Sequence, residues 1–543
     1  MAVLCTAFPA LAEETDQLIT GSCGENLRYE YYQSTRTLTI IGNGNMPNYP
    51  SHKTEGSIAP WRNDSRIDDY LEKVVISDGV TSIGENVFFW CDKITSVTIS
   101  SSVKSIGMGA FYSCKALTDI TIPNGAESIG EDAFQYCDSL KEVTIPGSVK
   151  SIGEGAFYSC DELTKVTIQD GAESICDNAF SGCKELTDIT LPDSVTSIGD
   201  NAFYNTAYYN DESKWENTVL YIGNHLIKAE DISGDYSIKP GTKSIADCAF
   251  YYCDHLTSIE IPNSVVSIGN HAFFSCNSLK SITIPKRVIK IGDCAFYTCF
   301  DLSEINVDED NTAYCSEYGV LYNKEKTELI RFPKEKADTS FTIPNSVTKI
   351  ADGAFEYCQY LKNVTIPDGV TSIGNDAFNS CSGLTSVTIP DGVTSLGNKA
   401  FFGCSSLTSV TIPNSVLIID ADAFKDCTNL QQVYYIGSET DWNNEVVGDG
   451  KYVLAYIGIT YLSGISARRS ESGNIVVKPI NIAAGKTVIL ALYDGNKFIE
   501  MQSSIYGGTD IPFTTDKAYT CAKVMVWNSL SEMSPVCDFK IVK

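Results

Sequence analysis

The sequence predicts an α/β solenoid of 23-residue coils, preceded by an N-terminal β cap and followed by an all-β sandwich domain. The first observation is a phenylalanine that recurs at a fixed interval. A period of roughly 20 to 50 residues indicates units that must stack to bury their apolar faces. Steps of 23 residues separate neighbours within three groups: Phe88, Phe111, Phe134, Phe157, Phe180 and Phe203; Phe250, Phe273 and Phe296; Phe355, Phe378, Phe401 and Phe424.

The second observation is that the apolar period changes within each coil. In LTSVTIP, residues 407–413, Val410 and Ile412 alternate with Thr411, which predicts a short strand. In the following segment the apolar residues are spaced by one, three and three positions, which predicts a short helix with one apolar face: Ala423, Phe424, Cys427 and Leu430. Each coil therefore supplies one strand and one helical turn to a shared interior.

Acidic residues stand three positions before the repeat phenylalanine in eight of the 13 units. In the predicted helix this position is the first turn, where a carboxylate meets free N–H groups and the positive end of the dipole. We therefore expect these residues to cap helices: Glu85, Glu131, Glu154, Asp177, Asp200, Asp247, Asp293 and Asp352.

Two interruptions separate the three groups of phenylalanines, one after Phe203 and one after Phe296. Each is predicted to contain one degenerate coil. At the C-terminal end, residues 486–502 read as two strands around Asp494 and Gly495, which indicates a hairpin. The predicted domains are thus a residual signal peptide (1–12), a cap (13–72), the solenoid with a closing coil (73–462) and a β-sandwich (463–543).

Charge and composition restrict the partners. The 543 residues include 40 Lys and Arg against 68 Asp and Glu, a net charge of −28, so phosphate polymers are disfavoured. No apolar stretch reaches the roughly 18 residues that a membrane span needs. The N-terminal MAVLCTAFPALAEE is typical of the end of a signal peptide with cleavage after Ala12. We expect a secreted or cell-surface protein without nucleic-acid partners or membrane insertion, and a monomer.

The chain has 20 cysteines, of which 12 stand three residues after a repeat phenylalanine. Regular cysteines in an exported protein can indicate disulfides. These residues, however, share the apolar face of the repeat phenylalanine, so we favour a column of buried free thiols. A pairing of Cys521 with Cys537 in the last domain stays open.

A metal site and an active site are both disfavoured. Cys248, His271 and Cys294 occupy one position in three successive coils, but a coil spacing of about 4.8 Å keeps the outer two too far apart to converge on one ion. No catalytic motif with a nucleophile elbow, a phosphate loop or a zinc-binding helix occurs in the sequence. We expect no cofactor and no enzymatic activity.

The repeat unit SVTSIG-xx-AF-xx-C-xx-LTSVTIP resembles the leucine-rich repeat of the BspA-like, Treponema pallidum type, found in bacterial surface proteins, over residues 73–436. The interruptions SKWENTVLYIGNHLIKA (213–229) and YGVLYNKEKTELIRFP (318–333) resemble variant coils of such arrays. The resemblance implies a leucine-rich repeat array that acts in recognition or adhesion.

Three functions follow as alternatives. The first is binding of a host, matrix or partner-cell protein through the concave strand face, where polar residues vary next to a row of threonines. The candidate ligand-binding residues on that face are Asp119, Glu142, Lys165, Asp188, Glu260, Glu304 and Asn363. The second is glycan binding through a stripe of aromatic residues after the repeat phenylalanine, or through the C-terminal sandwich. The third is a structural surface spacer.

Overall fold

The computed structural model describes residues 17–50 and 58–462, followed by seven β-strands between residues 464 and 542. The chain forms two compact units. Unit 1 extends to His255 and also contains Ile261–Phe274 and Arg287–Ala295, whereas unit 2 contains Leu256–Glu260, Ser275–Lys286 and the chain from Phe296 onward. The predicted signal peptide lies outside the described residues.

The first ladder of unit 1 starts antiparallel and becomes parallel. Thr37–Gly42 pairs antiparallel with Leu27–Tyr32 and parallel with Lys73–Ile76. From there the strands of successive coils pair in register with the equivalent residue one period away, as Val74 lies beside Val97, except between Asp119–Ile120 and Glu142–Ile145. The strands are Leu18–Ser22, Leu27–Tyr32, Thr37–Gly42, Lys73–Ile76, Ser96–Ile99 and Asp119–Ile120, then Glu142–Ile145, Lys165–Ile168 and Asp188–Thr190.

A second parallel ladder in unit 1 consists of very short strands. Each strand after Gly44–Asn45 contributes a buried isoleucine, such as Ile106 or Ile129, and a serine that is more exposed. Its strands are Gly44–Asn45, Val80–Ile83, Ser105–Ile106, Ser128–Ile129, Ser151–Ile152, Ser174–Ile175 and Ser197–Ile198. A 3₁₀ helix, Pro60–Asn63, and a helix, Ser65–Asp68, precede the repeats.

Threonine side chains reinforce the stacking between coils. The Thr118 hydroxyl donates to the carbonyl of Thr95 at 3.2 Å, and the Thr164 hydroxyl donates to the carbonyl of Lys141 at 3.0 Å. A β-branched residue at this place therefore satisfies a carbonyl one coil away while it favours extended backbone.

The first interruption contains a hairpin that continues the stack. Val219–Ile222 is antiparallel to His225–Ala229, which then pairs in parallel with Ser244–Ile245. The prediction of one degenerate coil is confirmed here. The other elements of this part of unit 1 are a helix, Ala207–Asn210, a 3₁₀ helix, Glu212–Lys214, and the strands Trp215–Glu216, Gly234–Ser237, Ser267–Ile268 and Lys290–Ile291.

Unit 2 repeats this plan. Its interruption contains Val320–Asn323 antiparallel to Glu328–Arg331, and the latter pairs in parallel with Lys349–Ile350. The other repeat strands are Leu256–Glu260, Ser281–Ile284, Glu304–Val307, Tyr314–Glu317, Ser340–Thr342, Asn363–Thr365, Ser372–Ile373, Ser386–Thr388, Ser395–Leu396, Ser409–Pro413 and Ile418–Ile419. The array ends with Gln432–Ile436, the helices Glu439–Glu445 and Gly450–Ile457, and Ile459–Leu462.

The predicted helix in each coil is wrong, and the repeats are β-solenoid coils rather than α/β units. Between residues 73 and 436, all of them described, the only helical segments are the two in the first interruption. In the first coil Asn86 (φ 55°) and Trp90 (φ 59°) have left-handed backbone, which a right-handed helix excludes. The N–H groups of Asn86, Phe88 and Trp90 donate to carbonyls of the next coil instead of to their own turn.

The acidic residues before the phenylalanine consequently do not cap helices. Three of them accept a backbone N–H of the following coil: Asp177 from Asp200, Asp247 from Asn270 and Asp352 from Asn375, each at 2.8 Å. Their role is to link neighbouring coils, because the N–H groups nearest to them belong to the next turn of the solenoid.

Phenylalanine columns form the core of each unit. In unit 1 the rings of Phe134 and Phe157 stack with centroids 5.0 Å apart, and both side chains are fully buried. The column begins at Trp61, which stacks on Phe88 at 5.3 Å. In unit 2 it begins at Phe332, in the variant coil, which stacks on Phe355 at 5.3 Å.

The 17 cysteines that the structure describes are free, and they include the 12 repeat cysteines for which a column of free thiols was predicted. Of the 12 repeat cysteines all but Cys427 are buried. The Cys160 thiol donates to the carbonyl of Phe134 at 3.2 Å, and the same bond recurs along both columns. Burial raises the pKa of Cys91 and of Cys299 to about 12, which suppresses their reactivity.

The last strands form two antiparallel sheets: Gly464–Arg469, Ile475–Ile480 and Ile511–Phe513 in one, and Thr487–Asp494, Lys497–Ile505, Cys521–Trp527 and Pro535–Val542 in the other. The predicted hairpin is confirmed, since Asp494 pairs with Lys497. Cys537 lies opposite Val526, so its backbone is about 16 Å along the strand from Cys521. That separation excludes the disulfide that the sequence left open.

Candidate binding surfaces

The seven candidate ligand-binding residues all lie on strands with outward side chains, but they do not form one site. All are exposed except Lys165, which is partly exposed. In unit 1 the register aligns Glu142, Lys165 and Asp188 in one column, and Lys165 forms an ion pair with Asp188 at 3.5 Å. In unit 2 Glu304 and Asn363 lie on different sheets, and Glu260 ends a third strand.

The first ladder of unit 1 opens between Asp119 and Glu142. The strand Asp119–Ile120 pairs with Ser96–Ile99, and Glu142–Ile145 pairs with Lys165–Ile168, but these two central strands are not paired with each other. The opening holds a depression of about 320 Å³, whose polar lining is Asp119, Thr121, Asn124, Glu142 and Thr144.

Like charges coincide with this opening. Asp119 and Glu142 occupy equivalent positions in neighbouring coils, where an opposite-charge pair would support the ladder and a like-charge pair opposes it. The sequence predicted both residues as candidates, but nothing in the repeat pattern predicted the depression between them. The arrangement can accept a cationic group.

Aromatic residues form a second surface, on the turns that follow the repeat phenylalanine. The row directly after that phenylalanine packs between coils, as Phe89 stacks on Tyr112 at 4.6 Å. The next residue projects further, and Trp90 is 62% exposed. The first row therefore packs between coils, whereas Trp90 in the second row is open to solvent.

The repeats can now be assigned to a family. The family described as BspA type leucine rich repeat region (6 copies) matches residues 67–171, 150–233, 243–339 and 331–448, which together exceed half of the chain. The chain belongs to this family. The BspA-type repeat accounts for both columns of phenylalanine and cysteine and includes the two interruptions.

Several solved bacterial protein structures align with much of the chain. A leucine rich cell surface protein of Faecalibacterium prausnitzii is 29% identical over 79% of this chain and 98% of its own, with a TM-score of 0.37. The pneumococcal vaccine antigen PcpA is 18% identical over 80% and 97%, with a TM-score of 0.26. The leucine rich repeat protein of T. pallidum is 22% identical over 49% and 86%, with a TM-score of 0.18. No curated protein matches the chain.

One BspA-type coil carries a buried charged cluster that the sequence analysis missed. Glu356 follows the repeat phenylalanine, where eight of the 13 units have an aromatic residue, and its side chain is fully buried. The Tyr297 hydroxyl lies beside its carboxylate and favours the ionised form. Burial raises the pKa of Glu356 to about 7, partly offset by the buried Arg331. The sequence signal for this cluster was an acidic residue at a repeat position that is aromatic in most units.

The repeat position that Cys248, His271 and Cys294 share is distinguished by its backbone conformation. All three have left-handed φ, between 51° and 54°. Burial raises the pKa of Cys248 to about 12, so its thiol is a poor ligand at neutral pH. Across the described part of the chain, no group of three His, Cys, Asp or Glu residues is placed to hold a metal ion. Nor does this part contain a helix long and apolar enough to cross a bilayer.

Proposed function

We propose that the chain is an exported or cell-surface recognition protein that binds a host, matrix or partner-cell protein through the outward face of its strand ladder. The observation that carries the proposal is the opening between Asp119 and Glu142, a depression with two exposed carboxylates on a rigid stack. Membership of the BspA-type family supports a role in protein interaction at the surface.

The chemistry of this surface favours a basic segment of the partner. Asp119 and Glu142 supply unpaired negative charge on the strand face, and the net charge of −28 attracts a cationic partner over longer distances. A lysine or arginine side chain inserted between Asp119 and Glu142 would replace their mutual repulsion by two attractive contacts. Association should therefore slow as the salt concentration rises.

The segments at the two ends support a binding rather than a catalytic role. Trp61 covers the first repeat phenylalanine, and Ile459–Leu462 pairs with Gln432–Ile436 beyond the last coil. We propose that residues 13–72 cap the array, that a signal in residues 1–12 directs export, and that residues 463–543 form a separate β domain. Among the repeat thiols, Cys91 and Cys299 are buried with raised pKa values, which makes them poor nucleophiles.

Charge reversal tests the proposal. The full chain is presented to immobilised fibronectin, laminin and collagen and to epithelial cells, and binding is measured by interferometry and flow cytometry. Glu142→Lys should weaken binding at least tenfold. Glu162→Lys is the matched control, because it makes the same charge change at an exposed glutamate on a turn outside both proposed surfaces. Equal effects of the two variants would refute the strand face as the site, and no binding at all would favour a spacer.

A further inference from the structure

Five rings form a continuous strip along the turns of four successive coils in unit 1. We call them the aromatic strip: Phe89, Trp90, Tyr112, Tyr136 and Tyr158. Phe89 contacts Trp90 at 5.5 Å and Tyr112 at 4.6 Å between ring centroids. Tyr112 meets Tyr136 edge-on at 5.5 Å, and Tyr136 meets Tyr158 edge-on at 6.0 Å. No ring of the strip is fully buried.

The strip lies outside the column of repeat phenylalanines. Phe88, Phe111, Phe134 and Phe157 form that column and are all fully buried, whereas the rings of the strip keep exposed surface. Leaving a tryptophan 62% exposed forgoes most of the stabilisation that its burial would contribute. Exposed aromatic surface in a row is typical of a contact for another molecule.

Aromatic and small residues alternate in the outer row of the strip. Two positions after the repeat phenylalanine stand Trp90, Ser113, Tyr136 and Ser159, all with left-handed backbone. The serines leave room for the large rings of the coils between them. Trp90 and Tyr136 are therefore two coils apart, about 10 Å at the coil spacing, which is comparable to two sugar rings of an extended chain.

The faces of these rings are not occupied by cations. Elsewhere in the described chain lysines cover such rings, as Lys334 lies 3.2 Å from the ring centroid of Phe300. None of the described lysines or arginines lies over a ring of the aromatic strip. The exposed ring surface of Trp90 and of Tyr136 can therefore receive the C–H face of a pyranose ring.

Carboxylates border the strip. Glu131 and Glu154 are exposed beside the half-buried Asp132, and their negative charge, after burial, contributes to a raised pKa of about 6 for Asp132. Ionised carboxylates accept hydrogen bonds from sugar hydroxyls. The same carboxylates repel anionic polymers, as does the net charge of −28.

We propose that the aromatic strip binds a neutral, linear polysaccharide, whose sugar rings stack on Trp90 and Tyr136 and whose hydroxyls bond to Asp132 and its acidic neighbours. This surface is separate from the strand face proposed above for a protein partner. It adds a second class of ligand to the same unit.

Affinity electrophoresis of the full chain tests this proposal with gels that contain soluble β-1,4-glucan, mixed-linkage β-glucan, xylan, mannan or α-glucan. At least one of these should retard the protein, and Trp90→Ala and Tyr136→Ala should each raise the dissociation constant at least tenfold. Tyr318→Ala is the matched control, because Tyr318 is an 82% exposed ring in unit 2. Thermal melts should show that all three variants remain folded.

Tryptophan fluorescence localises the contact. Trp61 and Trp442 are buried, whereas Trp90 is open to solvent, so a bound polysaccharide should protect Trp90 from acrylamide quenching. Trp90→Phe should remove that protection. Absence of retardation by the whole panel, retardation that is unchanged in both alanine variants, or retention by anionic polysaccharides alone would each overturn the proposal. Loss of protein binding in Trp90→Ala, with no glycan bound, would reassign the strip to a protein.

Discussion

Replacing Glu356 by glutamine should stabilise unit 2 at and above neutral pH. The side chain is fully buried, and burial disfavours its charged form more than the charge of Arg331 and the Tyr297 hydroxyl favour it. Glutamine has almost the same shape but carries no charge that must be taken out of water. The substitution therefore isolates the cost of ionisation from the cost of packing.

The magnitude follows from the pKa. Burial raises the pKa of Glu356 from 4.5 to about 7, so the folded protein holds this proton more tightly than the unfolded chain does. Below pH 4.5 the carboxyl is neutral in both states and imposes no penalty. As the pH rises through 7 the penalty grows to about 3 kcal/mol. The free energy of unfolding of the natural protein should therefore decrease over this pH range. Glu356→Gln should lack the part of the decrease that ionisation of Glu356 causes.

Amide hydrogen exchange of the segment 350–361 is the suitable assay, because it reports local opening without requiring the two units to unfold together. The gain in protection of Glu356→Gln over the natural protein should be near zero at pH 4.5 and largest at pH 8. Glu325→Gln, at an exposed position in the same unit, should change nothing. An equal gain at both pH values would refute the charge as the cause.

A substitution of Arg331 tests whether its charge lowers the pKa of Glu356. Its buried guanidinium donates to the carbonyl of Gly353 and its charge lowers the pKa of Glu356. Arg331→Met should therefore raise this pKa further and move the loss of protection to higher pH. A shift to lower pH would show that Arg331 does not act on Glu356 through its charge.

Three further predictions concern the scaffold. Phe157→Ala should lower the free energy of unfolding by about 3–5 kcal/mol in urea titrations, because the fully buried ring stacks on both neighbours in its column, whereas Tyr318→Ala should have little effect. Gly153→Ala should cost about 1–3 kcal/mol, because a Cβ there would lie 2.4 Å from the carbonyl carbon of Gly130, whereas a Cβ at Gly369 would have no atom nearer than 3.5 Å. In the native protein a thiol reagent such as DTNB should leave the buried repeat cysteines unmodified until denaturant is added, and rapid reaction of all thiols would contradict their burial.

The repeat phenylalanine made most of the core predictable. A residue that returns every 23 positions must occupy the same place in every coil, so one correct assignment fixes Phe88 through Phe203 at once. The free thiols followed from the same reasoning. The hairpins in the interruptions were predicted only as degenerate coils, because their apolar residues no longer keep the period.

The helix was predicted wrongly because apolar spacing alone does not determine backbone conformation over so few residues. A better signal stood two positions before the repeat phenylalanine, where Asn86, Gly109, Asp132 and Gly155 succeed one another. Glycine, asparagine and aspartate tolerate left-handed backbone, and all four residues have it. The sequence predicted that the candidate residues lie on the strand face. It did not predict where on that face the depression lies, because this depends on which strands fail to pair.

Charge across neighbouring coils explains why that place lies between Asp119 and Glu142. In the described part of unit 1, ion pairs join residues one period apart, among them Lys115–Asp138 at 3.9 Å, Lys150–Glu173 at 3.0 Å, Lys165–Asp188 at 3.5 Å and Lys184–Asp161 at 3.0 Å. Each is exposed and therefore weak, but together they offset repulsion in an acidic stack. At Asp119 and Glu142 the alternation fails, and the ladder opens there. A lysine or arginine from a partner would restore the alternation, so the defect that weakens the free ladder is also what favours a basic ligand.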